Sequence, residues 1–163
     1  MKKIIILCIS LVVLIFIGSY IYLKINPPLV AVQSGTAMER QILLVKVGNK
    51  NLFGEIEIQD VLVNDSIKPS RMKVQVSDQS KGFIISDRFD GEEEQEYTFK
   101  DLDNIKLQPK TDPQRQLEKV NNSVSTKEDL IYAITLGHQN SIDKAIINYR
   151  YLGMSFKKVV SIE

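Results

Sequence analysis

An uninterrupted apolar run near the N-terminus constrains this chain more than any other feature. Residues 4–23 read IIILCISLVVLIFIGSYIYL, in which 17 of 20 residues are hydrophobic and none is charged. A helix of that length rises about 30 Å, the thickness of the hydrocarbon core of a bilayer, and pairs its backbone amides internally, as lipid requires. Residues 4–23 are therefore predicted to form a transmembrane helix in contact with the lipid bilayer.

The run is interpreted as an uncleaved signal-anchor. A cleaved signal peptide usually has an apolar core of about 7–15 residues followed by a site of small residues. This core is longer, and residues 23–27 that end and follow it read LKINP. Ser19 offers a poor cleavage site, so cleavage stays as an alternative. Lipidation at Cys8 is disfavoured because Leu7, which is not a small residue, precedes it.

The charges that flank the run predict its orientation and the division of the chain. Lys2 and Lys3 precede it and Lys24 alone follows it, so the positive-inside rule places residues 1–3 in the cytoplasm. Residues 24–28 form a linker stiffened by two prolines, and residues 29–163 form an extracytoplasmic domain at the cell membrane.

Composition excludes several classes of function. The chain carries 21 basic and 20 acidic residues, one Cys and one His. Near-neutral charge argues against a nucleic-acid partner, and the Cys and His counts exclude an intrachain disulfide and a Cys/His metal site. The three lysines that flank the run leave 18 basic against 20 acidic residues beyond it, a net charge of −2. No cofactor is predicted, because the chain contains no Gly-rich phosphate loop.

Short apolar segments separated by turn residues recur along residues 29–163. Residues 29–33 and 42–47 are predicted strands, residues 34–36 a turn or loop, and residues 48–51 the turn of a hairpin into the next strand. Eight or nine such strands at intervals of about 10–15 residues are typical of an antiparallel β-sandwich. The fold is therefore predicted to be mainly β, an immunoglobulin-like sandwich with one short connecting helix.

Four local patterns sharpen this prediction. The apolar positions switch parity between Ile58 and Val61, which predicts a β-bulge near Gln59-Asp60, although a strand buried between two sheets is the alternative. Asp112-Pro113 matches the N-cap and first turn of a short helix. Residues 145–152 and 154–162 are expected to form a closing hairpin across Gly153, and residues 130–136 a central strand.

Residues 87–103 are the most acidic part of the chain and the main candidate for a contact surface. They hold eight acidic and two basic residues, a net charge of −6. A solvated acidic surface is the favoured interpretation, with weak calcium binding as an alternative, although the spacing does not match an EF-hand. The candidate contact residues are Asp87, Asp90, Glu92, Glu93, Glu94 and Glu96.

No constellation of catalytic residues is evident, so no catalytic residue and no metal ligand is assigned. His138 is the only imidazole and falls in a predicted exposed turn, while no nucleophile elbow occurs and Cys8 lies in the membrane run. Carboxylate pairs could serve an envelope carbohydrate-active hydrolase, but the chain has no Trp to stack sugars. That hydrolase stays as the alternative to a non-enzymatic module.

The layout of the chain resembles a group of proteins. The leading MKK and apolar core, with the segments EIEIQDVLVND, FIISDRF, QLEKVNN and NYRYLGMSFKKVVSI, resemble uncharacterised small single-pass membrane-anchored extracytoplasmic proteins of low-GC Gram-positive bacteria. The resemblance implies an envelope location and a β-rich exported domain, and it implies no activity. We therefore expect a non-catalytic binding or structural module with a protein partner at the cell envelope.

Overall fold

The first element of the computed structural model, which describes residues 2–126 and 128–162, is a long apolar helix. This helix, α1 (Lys2–Ile25), is long and apolar enough to cross a membrane. Its interior has no charged residue, and the side chains of its membrane-length window are exposed all round rather than packed inside the protein. The helix ends before Pro27-Pro28, and only residues 26–28 separate it from the first strand.

Eight strands and a second, shorter helix follow within the described residues. The strands are β1 (Leu29–Ala37), β2 (Ile42–Asn49), β3 (Ile56–Val63), β4 (Arg71–Asp78), β5 (Thr98–Lys100), β6 (Leu130–Gly137), β7 (Lys144–Tyr151) and β8 (Met154–Ser161). The short helix α2 (Pro113–Asn121) lies between β5 and β6, and two 3₁₀ turns occupy Glu94–Glu96 and Leu102–Asn104. The predicted β-rich class and the single short helix after the apolar run are confirmed.

The strands form two antiparallel sheets. The larger sheet has the order β1-β2-β6-β4-β5 and the smaller sheet the order β3-β7-β8. Buried side chains from both sheets belong to one hydrophobic cluster, which Leu43, Ile134, Ile58 and Tyr149 exemplify. Residues on one face of every strand except β5 enter this cluster or pack against it, as the two-residue period of a strand requires.

Several local predictions are confirmed. The pairing of β3 with β7 shifts register between Ile58 and Asp60, so the extra residue Gln59 lets Ile56, Ile58, Val61 and Val63 all be buried. The β7–β8 hairpin turns at Gly153, where φ is +78°, and β6 is the central strand of the larger sheet.

The predicted helix cap is also confirmed. The Asp112 carboxylate accepts a hydrogen bond from the Gln114 backbone N–H at 2.9 Å, and Pro113 is the first residue of α2. The pair begins the helix as the sequence predicted, because the carboxylate satisfies an amide that has no partner within the helix.

Two predictions about turns are wrong. Residues 48–51 do not close a hairpin: β2 pairs with β1 and β6, and β3 pairs with β7 in the other sheet. Because β1 and β6 occupy the two edges of β2, no edge is left for β3, and the chain crosses to the second sheet. Residues 34–36 lie inside β1, where a register shift between Gln33 and Gly35 replaces the predicted turn.

A long connection covers the outer face of the larger sheet and carries the acidic residues. Gln75 of β4 is buried, and its side-chain amide donates to the Ile84 carbonyl at 2.7 Å and to Thr135 Oγ1 at 2.7 Å. The Ile84 N–H donates back to Gln75 Oε1 at 3.1 Å, and Ile85 lies directly over Gly35. These contacts hold Ile84 and Ile85 against the larger sheet, so the connection covers part of its outer face.

Candidate functional site

The end of α1 is built into the folded domain. Leu23 is 8% exposed and belongs to the hydrophobic cluster that both sheets share. The Lys24 ammonium donates to the Ser155 carbonyl at 3.2 Å and lies 4.7 Å from the centre of the Phe156 ring. Lys24 and Ile25, the first two residues of the predicted linker 24–28, thus belong to α1, and Lys24 contacts β8. We call this contact region the junction.

The Phe156 ring connects the junction to the hydrophobic core. It stacks on the Tyr149 ring, with centroids 5.3 Å apart and planes inclined by 15°. Burial raises the pKa of Tyr149 to about 12, so its hydroxyl stays neutral at physiological pH. Lys24 lies over the face of the Phe156 ring, whose negative quadrupole attracts a cation.

Two loops flank the junction, and hydrogen bonds fix their backbones. In the β2–β3 loop the Asn49 side-chain amide donates to the Gly54 carbonyl at 2.8 Å. The Tyr151 hydroxyl donates to the Phe53 carbonyl at 2.7 Å and accepts from the Asn51 side-chain amide at 2.9 Å, which ties this loop to the β7–β8 hairpin. The loop backbones are thereby held, while the side chains at their tips point away from the core.

A cavity of about 1120 Å³ separates α1 from these loops. Its lining is mainly apolar, and its two cations are Lys50 and Arg115. Two further cavities, of about 410 and 540 Å³, lie between α2 and the larger sheet and between the edges β1 and β8. No Asp, Glu or His of the described residues lines any of these three cavities.

The structure separates the six candidate acidic residues into two kinds. Glu94 is only 7% exposed, and its carboxylate accepts a hydrogen bond from the Ser86 hydroxyl. Asp87 is half-buried, and its carbonyl accepts from the Arg71 guanidinium. Asp90, Glu92, Glu93 and Glu96 are exposed. The acidic surface available to a partner thus consists of these last four side chains.

The remaining charges around this surface are partly paired. Asp101 forms an ion pair with Lys73 at 2.7 Å, and Lys81 lies 4.9 Å from the centre of the Tyr97 ring. Phe89 and Phe99, which lie in or beside the acidic segment, pack with their ring centroids 5.2 Å apart. Across residues 2–126 and 128–162, no three His, Cys, Asp or Glu side chains are grouped so that they could hold a metal ion.

His138 lies far from the junction and is half-buried rather than exposed as expected. It follows β6 at the end of the sheet where β1 turns into β2, and its backbone N–H donates to the Gln41 carbonyl at 2.9 Å. Cys8 is exposed on α1. Cys8 on the helix and His138 at the far end of the domain therefore lie apart, and they form no nucleophile–base pair.

The sequence did not predict the junction. The apolar pair Leu52-Phe53 directly follows the predicted turn at residues 48–51. A third apolar residue, Leu152, stands immediately before Gly153. Large apolar side chains at the tips of two turns were the available signal, because turns ordinarily carry polar residues there. Comparisons with protein-family models, curated proteins and solved structures found no match.

Proposed function

We propose that this chain is a single-pass membrane protein whose β domain binds a protein partner at the extracytoplasmic face of the cell envelope without catalysing a reaction. One observation carries the proposal: an exposed apolar helix of membrane length runs directly into the core of a folded domain through Leu23. Such a helix needs an apolar surrounding, and its attachment fixes the domain at the membrane surface. The basic residues Lys2 and Lys3 at the start of α1 support a cytoplasmic N-terminus.

The strand order supports an immunoglobulin-like sandwich. Constant-type immunoglobulin domains arrange strands A-B-E-D in one sheet and C-F-G in the other. The orders β1-β2-β6-β4 and β3-β7-β8 follow this arrangement, with β5 as an added edge strand. Sandwiches of this kind commonly act as binding modules, although a fold alone does not determine a function.

The proposed contact surface is the acidic set Asp90, Glu92, Glu93 and Glu96. These exposed carboxylates lie on the connection between β4 and β5, which contacts the larger sheet through the hydrogen bonds between Gln75 and Ile84. A concentrated negative surface attracts a basic partner and raises its association rate at low salt. None of these four side chains lines the three cavities, which favours recognition of a protein over enclosure of a small substrate.

Crosslinking in intact cells tests the contact. A variant with Asp90→Asn, Glu92→Gln, Glu93→Gln and Glu96→Gln is expected to lose most of the crosslinked partner recovered with the full-length anchored protein. Its control neutralises four exposed acidic residues elsewhere in the domain: Glu39, Glu57, Glu118 and Glu128. Equal recovery with both variants would remove the acidic surface from the proposal, because the two carry the same change in net charge.

A further inference from the structure

Three large apolar side chains protrude from the loops at the junction. Leu52 and Phe53 of the β2–β3 loop are 65% and 66% exposed, and Leu152 of the β7–β8 turn is 56% exposed. The loop backbones that carry them are fixed by the hydrogen bonds of Asn51 and Tyr151. A group of apolar side chains held outward on rigid loops marks an interaction surface.

The position of these loop tips beside α1 indicates what covers them. Across the cavity of about 1120 Å³ they face residues 15–20 of the helix as well as Tyr22 and Leu23. Residue 15 lies about 12 Å along the helix axis from Leu23, at 1.5 Å per residue. If Leu23 stands at the membrane surface, the gap between helix and loops opens at the depth of the lipid acyl chains.

The charges at the gap match a phospholipid surface. Lys50 and Arg115 line it together with the apolar side chains, and no acidic side chain of the described residues does. Basic groups beside an apolar surface are the combination by which proteins lie in the interface of anionic membranes. The apolar surface of the loop tips also faces that of α1 across the gap, so one lipid layer can contact both.

We propose that Leu52, Phe53 and Leu152 insert into the extracytoplasmic leaflet of the membrane that holds α1. Phospholipid acyl chains fill the gap, and headgroup phosphates meet Lys50 and Arg115. This inference rests on the proposed membrane anchoring. It adds that the domain lies on the bilayer in one orientation, fixed by a helix and two loops, with its opposite end directed away from the membrane.

Tryptophan fluorescence tests the insertion, because the chain contains no Trp of its own. Full-length Phe53→Trp and Leu152→Trp variants are reconstituted in phosphatidylcholine–phosphatidylglycerol vesicles, with or without acyl-chain bromination. Ile67→Trp is the matched control: Ile67 is 52% exposed and pairs with Val63 at the far end of β3, about 25 Å from the loop tips. Phe16→Trp reports on the helix itself.

Insertion predicts that Phe53→Trp and Leu152→Trp emit at shorter wavelength than Ile67→Trp and lose most of their fluorescence to brominated lipid. Phe16→Trp is expected to be quenched in the same way. Quenching at Phe16→Trp alone would overturn the insertion and leave the anchoring standing, whereas no quenching at Phe16→Trp would overturn both. A short-wavelength emission at Phe53→Trp that brominated lipid leaves unchanged would mean that protein, such as a second copy, covers the tips, and would also overturn it.

Discussion

At the scale of single residues, Gly48 fixes how the end of β2 meets the chain that enters α2. The Thr111 carbonyl lies where a side chain at position 48 would stand. Beside it, the Asn49 N–H donates to Thr111 Oγ1 and the Thr111 N–H donates to the Asn49 carbonyl, each at 3.0 Å. The glycine is therefore required by a close approach of two backbones rather than by a turn, which is why residues 48–51 misled the sequence prediction.

The substitution Gly48→Ala is expected to lower the free energy of unfolding by about 1–3 kcal/mol, because the added methyl group must displace backbone atoms. The matched control is Gly137→Ala at the end of β6, where a Cβ would meet its nearest neighbour at 3.5 Å, an ordinary contact. That control is expected to change stability by no more than about 1 kcal/mol. Denaturant unfolding of both full-length variants in detergent checks the pair, and equal stabilities would contradict the close approach.

The acidic residues and Leu23 show how much of the candidate site could be predicted from the sequence. The acidic surface was predicted from charge alone, and four of its six residues are exposed. Burial of Glu94 was not predictable, because it depends on Ser86 and on the packing of a connection against a sheet formed by distant segments. The Leu23 contact with the core was likewise hidden, since it joins the helix to residues far along the chain.

At the scale of elements, β3 shows how a one-residue irregularity keeps a strand in register. Gln59 is the extra residue between Ile58, which pairs with Tyr149, and Asp60, which pairs with Asn148. The parity switch in the sequence predicted this bulge because a strand that buries one face cannot change parity without an added residue. The pairing of strands that are distant in sequence has no such local signature, and for this reason the partner of β3 was predicted wrongly.

Deletion of Gln59 is expected to leave the domain folded, because Ile56, Ile58, Val61 and Val63 then alternate regularly on one face. Deletion of Glu57 is the matched control. It displaces a buried isoleucine from the core, which costs about 2–5 kcal/mol, as for truncation of a core Ile. Circular dichroism and the unfolding midpoint of the two variants check the prediction, and a Gln59 deletion as damaging as the Glu57 deletion would contradict the assignment of the bulge.

At the scale of the whole molecule, an apolar helix leads into a β domain whose two ends differ. The helix and the loop tips belong to one end of the domain, where β1 begins and the β7–β8 hairpin turns. The turns after β1, β3 and β6 lie at the opposite end, so a domain anchored through α1 presents them away from the bilayer. This polarity makes the topology of the chain its central and most testable property.

Labelling of a cysteine at the membrane-distal end tests that topology most directly. In the Cys8→Ser background, Gln139→Cys places a single thiol in the exposed turn after β6. A membrane-impermeant maleimide added to intact cells is expected to label this thiol fully, on protein recovered in the membrane fraction. Labelling that appears only after the membrane is permeabilised would contradict the proposed orientation, and labelled protein released into the medium would contradict the permanent anchor.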